Sequence, residues 1–306
     1  DWSLVAQTVA GVSPGLLALS ITVFMLAGWL RAARWQVLFT TERISTRRLF
    51  IIQHEGLGLS NLMPIRVASE VTQLAVLTLR DGVRGATALA TLGMERVIDV
   101  LANTMILGAS FYFVPEMEDF SIFIWGAAGI AVVALVLVRV FAWSGSLAMV
   151  SRFRFVADFA TAVRELEQER MRLTVSLLIS IGYWMMVGVT AWLSAAAVGL
   201  AISPLAAMVA IMGTIFFATA VPAAPSAVGT YEFALVHVLT YFGVDRAEGF
   251  GFAVITHATF FLPATIIAIV FLPREGIGFL RRKRDVQAHP EAVPELSSVI
   301  ERKVVG

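Results

Sequence analysis

The chain has no cysteine in its 306 residues. That excludes a disulfide framework, a thiolate nucleophile and a thiolate metal site. It is also poor in charge, with 15% Asp, Glu, Lys and Arg where a globular domain carries about 25%. Neither sign is in excess: 23 Lys and Arg face 22 Asp and Glu. A soluble enzyme, a disordered chain and a nucleic-acid binder are therefore set aside. Alternation of polar and apolar residues over about 10 positions, the mark of a membrane β-barrel, is missing as well. The four histidines, His54, His237, His257 and His289, are scattered. His54-Glu55 lacks the second histidine of a zinc-protease helix. Gly56, Gly58 and Gly82 build no phosphate loop, and no Ser/His/Asp spacing stands out. No metal and no cofactor is expected.

What is present is apolar. Hydrophobic residues make up 58% and mean hydropathy is +0.82. Runs of 16 to 25 residues approach the roughly 20 that cross a bilayer as a helix. The expected fold class is all-α and polytopic. Hydropathy predicts helices at about 14–30, 49–63, 67–79, 85–113, 120–141, 173–197, 204–221, 227–243 and 249–272. Residues 151–172 read as a surface helix, with Phe155, Phe159, Val163 and Leu166 on one stripe. The seven tryptophans fall largely near the proposed boundaries, as in an aromatic belt. Residues 1–280 form the expected membrane domain. Arg281-Arg282-Lys283-Arg284 opens a polar tail, 281–306, with no clear structure.

Basic residues set an orientation. With 31–48, 80–84, 139–172 and 274–306 in the cytoplasm, 20 of the 23 Lys and Arg lie inside, all but Arg66, Arg96 and Arg246. Residues 114–119 hold three acids and no base, as suits the outer side. Segment 49–79 must then enter and leave on one side. Its pieces of 13 to 15 residues reach only about 20–23 Å, short of the roughly 30 Å core. A hairpin dipping into the membrane fits, and so do two tilted helices. The pair 204–221 and 227–243 enters from the opposite side, as a hairpin or as two full spans. The breaks are Asn61 and Pro64 in the first pair, and Pro222, Pro225 and Gly229 in the second. Each is followed by an acid, Glu70 and Glu232. Paired interrupted helices, arranged like an inverted repeat, point to a transport site.

Ionisable residues inside the hydrocarbon are costly, and are paired or functional. Glu95 and Asp99 share a helix face at i,i+4, and Arg96 can pair with Asp99 at i,i+3. They read either as a structural salt bridge or as a polar lining for a headgroup or a proton. Arg66 suits a phosphate, which a guanidinium grips with two parallel hydrogen bonds, or it tethers Glu70. Thr230 can cap the second arm with its hydroxyl. Glu232 suits a helix start, or lines the site.

Four stretches carry a resemblance: Arg31-Ala32-Ala33-Arg34-Trp35-Gln36-Val37-Leu38; Asn61-Leu62-Met63-Pro64-Ile65-Arg66 with Ser69-Glu70; Glu95-Arg96-Val97-Ile98-Asp99; and Pro222-Ala223-Ala224-Pro225-Ser226-Ala227-Val228-Gly229-Thr230-Tyr231-Glu232. In order and spacing the chain resembles the membrane (flippase) domain of lysylphosphatidylglycerol synthase/flippase proteins, up to about residue 272. Ser69 stands where that family usually has Gly, and Gln73 where Arg often follows the acid. The resemblance implies one further helix upstream of Asp1. It also implies a stand-alone member, with the lipid-moving half and not the soluble lipid-charging half. On that basis the expected function is flippase-like transport of a phospholipid, an aminoacylated lipid or a polyprenyl- or glycolipid in a prokaryotic inner membrane, with the C-terminus cytoplasmic. Membrane lipids are the expected partners. A homo-oligomer and a lipid-synthesising or glycosyltransferase partner are compatible with it. The alternatives are a membrane-embedded lipid-headgroup-modifying enzyme, with Glu95 and Asp99 as acid and base, or a non-catalytic membrane partner of such a synthase.

Overall fold

A computed structural model describes residues 11–63, 67–110, 113, 121–144, 154–220 and 225–288. Among them are ten α-helices: α1 (Pro14–Leu38), α2 (Thr46–Leu62), α3 (Ala68–Leu79), α4 (Gly85–Ser110), α5 (Ser121–Ser144), α6 (Arg154–Gln168), α7 (Arg170–Ala197), α8 (Pro204–Ala220), α9 (Thr230–Tyr241) and α10 (Arg246–Ala288). A single 3-10 turn, Pro225–Ala227, precedes α9. Helices α1, α5, α7 and α10 are long and apolar enough to cross a membrane. The protein is an all-α, polytopic membrane protein.

Local chemistry sets the helix ends. Pro14 occupies the first turn of α1, where its missing N–H costs nothing. The Ser45 hydroxyl accepts the Arg48 N–H at the start of α2, at 3.3 Å. Two spans outrun their expected limits. α1 continues to Leu38 because Arg31, Arg34 and Trp35 face inward and are buried. Their charge had read as a membrane boundary. α10 runs past the expected end of the last span, through Arg281–Arg284 to Ala288, so the segment at 281–288 is helical.

α1 and α7 form an antiparallel seam. The Ser13 N–H bonds the Ala197 carbonyl at 2.8 Å. Ser20 Oγ bonds the Thr190 carbonyl at 2.9 Å and Ser194 Oγ at 2.8 Å. Such small residues and interhelical hydroxyl bonds hold helices together where lipid removes the hydrophobic drive. Leu19, Leu26, Val132, Leu135, Leu137, Leu262 and Ile266 stay exposed, as a surface facing acyl chains requires. α6 packs on α4 and α5 through buried Val163 and Leu166. Phe159 meets Phe141 at 5.6 Å, whereas Phe155 is exposed.

The interior holds two apolar cores. One joins Trp35, Leu49, Leu77, Leu92 and Ile98. The other joins Ala27, Ala102, Val187, Ile211, Leu235 and Phe252. Along α4 the change falls between Ile98 and Ala102, and along α1 between Ala27 and Ala32. α2 lies antiparallel on α10, with Arg48 at Glu275 and Asn61 at Phe261 and Thr265. At Gly58 the backbones meet so closely that a Cβ would collide with the Ala264 carbonyl and the Ala268 methyl. Gly58→Ala should lower stability by about 1–3 kcal/mol, read as thermal unfolding in detergent. The same change at Gly93, where a Cβ has open space, should be neutral or stabilising.

Candidate functional site

Between the two cores lies a buried ionic cluster. α1 presents Arg31 and Arg34 three residues apart, and α4 presents Glu95 and Asp99 four apart, each pair on one face. The Arg34 guanidinium, 0% exposed, donates to both Glu95 and Asp99 and to Ser180 Oγ at 2.7 Å. Arg31 Nε donates to Glu95 at 3.0 Å. Ser180 Oγ and Trp184 Nε1 of α7 donate to Asp99 Oδ1 at 3.1 and 3.0 Å. Gln53 Nε2 of α2 reaches Glu95 at 3.4 Å. Arg31 and Arg34 lie 6.0 and 5.9 Å from the Tyr183 ring centre. Two cations balance two anions, and four helices are tied together.

The cluster differs from expectation in its partners. Arg96 bonds Glu70 of α3 rather than Asp99, because Asp99 is turned into the α1–α7 seam and taken by Arg34. The Arg96–Glu70 pair is open, with side chains 51% and 35% exposed. Glu70 Oε2 has no partner. Two tryptophans also leave the expected belt: Trp35 and Trp184 are buried and hydrogen-bonded to Thr91 and Asp99.

A second polar group surrounds the breaks. α2 ends at Leu62 and α3 starts at Ala68. Pro64 and Arg66, the expected phosphate ligand, fall outside the described residues, as does Pro222. Pro225 opens the 3-10 turn. Ser226 and Ala227 follow at φ 65° and 59°, then Gly229 at 81°. Left-handed backbone at two residues that carry a Cβ is uncommon and strained, and such strain gathers at functional sites. Here it turns Ser226 Oγ onto the Asn61 carbonyl at 2.5 Å, while Asn61 Nδ2 donates to Thr265 Oγ1 at 3.0 Å and to the Phe261 carbonyl at 3.3 Å. The end of α2 and the break before α9 therefore touch each other and α10.

Glu232 caps α9 by accepting the Gly229 N–H at 2.7 Å; the carboxylate does this, not the Thr230 hydroxyl. Its other oxygen meets His257 Nδ1 of α10 at 2.5 Å. His257 Nε2 lies 3.1 Å from the Ser226 carbonyl, and its ring lies 4.5 Å from that of Tyr231, tilted by 33°. Of the expected site residues, Glu95 and Asp99 share the buried cluster, Glu70 and Arg96 form the open pair, and Asn61, Gly229 and Glu232 gather at the second break. Arg31, Arg34, Ser180, Trp184, Ser226 and His257 join these groups without having been singled out for them. Matching the two arginines of α1 by number and spacing to the two acids of α4 was the available signal.

A helical bundle with balanced charges buried in its interior and a lipid-facing apolar surface is a polytopic integral membrane protein. The lysylphosphatidylglycerol synthase TM region matches residues 1–268, so the chain belongs to that family. Membership points to a lipid-related membrane function. No curated protein and no solved structure shows a significant match to the chain.

Arg34→Ala leaves Glu95 and Asp99 with Arg31 alone and should cost about 3–5 kcal/mol, because an uncompensated charge stays buried. Arg34→Met with Asp99→Leu removes one charge of each sign and retains the Arg31–Glu95 pair. The double variant should unfold later than Arg34→Ala in a thermal melt. Equal or greater loss would contradict charge balance as the cluster's stabilising term.

Proposed function

We propose that the protein moves lipid between leaflets, passing the headgroup along a polar cleft where two interrupted helix pairs meet while the acyl chains stay in the bilayer. The observation that carries this reading is the contact between the breaks, Ser226 Oγ to the Asn61 carbonyl. Each arm after a break opens on an acid in its first turn, Glu70 in α3 and Glu232 in α9. That likeness supports an inverted, re-entrant arrangement. So does the closure of α2–α3 at its base: Arg48 pairs with Asp81 just past α3, and both Arg48 and Arg80 pair with Glu275.

In this reading Arg66 holds the phosphate of the headgroup. Glu70 and Glu232 receive an amine or sugar hydroxyls. Val67 and Val71, on the same helix end as Glu70, are exposed, and the open Arg96–Glu70 pair gives the headgroup a charged stop beside them. Glu95 and Asp99, neutralised by Arg31 and Arg34, hold the cleft wall in place. The lipid is a phospholipid, an aminoacylated lipid or a polyprenyl- or glycolipid, in a prokaryotic inner membrane.

Purified protein in liposomes should carry labelled lipid between leaflets without altering it chemically. Arg66→Ala and Glu232→Ala should each slow transfer about tenfold or more, the worth of a charge-assisted hydrogen bond. Glu232→Gln, which keeps an acceptor for the Gly229 N–H, separates loss of charge from loss of the cap. A new lipid product would favour a headgroup-modifying enzyme instead. Unchanged transfer by stably inserted variants would remove these residues from the route.

A further inference from the structure

Glu55 belongs to neither polar group described above. It lies within α2 and is 0% exposed. Neither of its carboxyl oxygens has a hydrogen-bond partner. It stands seven residues beyond Arg48, which is about two turns, so the two share a helix face. Because α2 runs antiparallel to α10, Glu55 falls between the Arg48–Glu275 pair and the Gly58 contact with Ala264 and Ala268. The stretch of α10 across that interval, Ile269-Val270-Phe271-Leu272, is apolar.

The charged groups around it are otherwise engaged. Arg48 on its own helix, Asp81 and Arg80 after α3, and Glu275 on α10 pair with one another. His54 is turned to the Phe50 carbonyl and packs on Gly28 of α1. Across α1 and α4, Arg31, Arg34, Glu95 and Asp99 close their own cluster. From α3, Gln73 lies against Gly56, the residue after Glu55, and donates to Ser69. A carboxylate sealed in such a place, with no cation or donor bonded to it, is costlier than the neutral acid.

We propose that Glu55 is a proton-binding site that couples lipid movement to a proton gradient. The coupling rests on the transport reading above; the proton site does not. The step is one proton: a carboxylate oxygen takes it from water on one side of the membrane, α2 closes on α10 around the neutral acid, and the O–H bond breaks again when α2 exposes the group to water on the other side. No other bond changes. Glu55 follows the base of the first arm and precedes Asn61 by six residues, so movement of α2 that opens the acid also moves the Asn61 contact with Ser226.

Two measurements test this. Infrared difference spectra of wild type against Glu55→Gln at neutral pH should contain the C=O stretch of a buried carboxylic acid, lost in the variant. Absence of that band would overturn the proton site. In liposomes with a pH difference of about one unit, wild type should build a leaflet asymmetry of labelled lipid approaching tenfold for one coupled proton. Glu55→Gln should build none, and Glu55→Asp should restore part of it. Equal asymmetry in Glu55→Gln, or exchange of label by wild type without any asymmetry, would overturn the coupling and leave transport standing. No exchange by wild type in any condition would overturn transport and the coupling with it, and the infrared band would still decide the proton site.

Discussion

Charge balance at one buried point constrains the whole bundle. Two guanidiniums and two carboxylates stand between two apolar cores, where neither sign could remain alone. Arg34 spans Glu95 and Asp99, Arg31 holds Glu95, and Ser180 and Trp184 donate to Asp99 Oδ1. The relative heights of α1, α4 and α7 follow: sliding α1 or α4 by a turn would leave a charge unpaired, and sliding α7 would take the Ser180 and Trp184 donors from Asp99. The serines and alanines along the α1–α7 seam let those helices approach closely enough for Ser180 to bond Arg34.

α10 plays the complementary part. His257, Phe261 and Thr265 recur every four residues and so lie along one face. That face receives the end of α2 and the start of α9: His257 takes Glu232 and the Ser226 carbonyl, and Phe261 and Thr265 take Asn61. Further along, Glu275 ties the base of α2 and the turn after α3. Pro263 and Pro273 sit within this helix; each removes a backbone donor, and a proline inside a helix is a known place for bending. The protein thus combines a fixed ionic post with one long helix against which α2 and the start of α9 rest.

Much of this was legible in the sequence. Hydropathy placed nine of the ten described helices, because a bilayer demands apolar runs, and the amphipathic stripe placed α6. Asn61, Pro225 and Gly229 stand at the ends of described elements. Partner choice was less legible. Arg31 and Arg34 end an apolar run, so they read as a boundary, although burial beside two acids is equally open to an arginine. Arg96 is three residues from Asp99, yet it pairs with Glu70 on another helix. His257 lies 25 residues from Glu232 in sequence, with no local pattern to join them. The left-handed turn at Ser226 and Ala227 is held by tertiary contacts, as neither residue favours it. Glu55 read as half of a failed metal motif, since isolation is a property of surroundings that sequence does not carry.

The contact between the two breaks is the element on which the transport reading turns, and the absence of cysteine makes it accessible. Asn61→Cys with Ser226→Cys, cross-linked in native membranes, addresses it directly. The account predicts a cross-link that stops lipid transfer and a return of transfer on reduction. Failure to cross-link, or full transfer by the cross-linked protein, would contradict it.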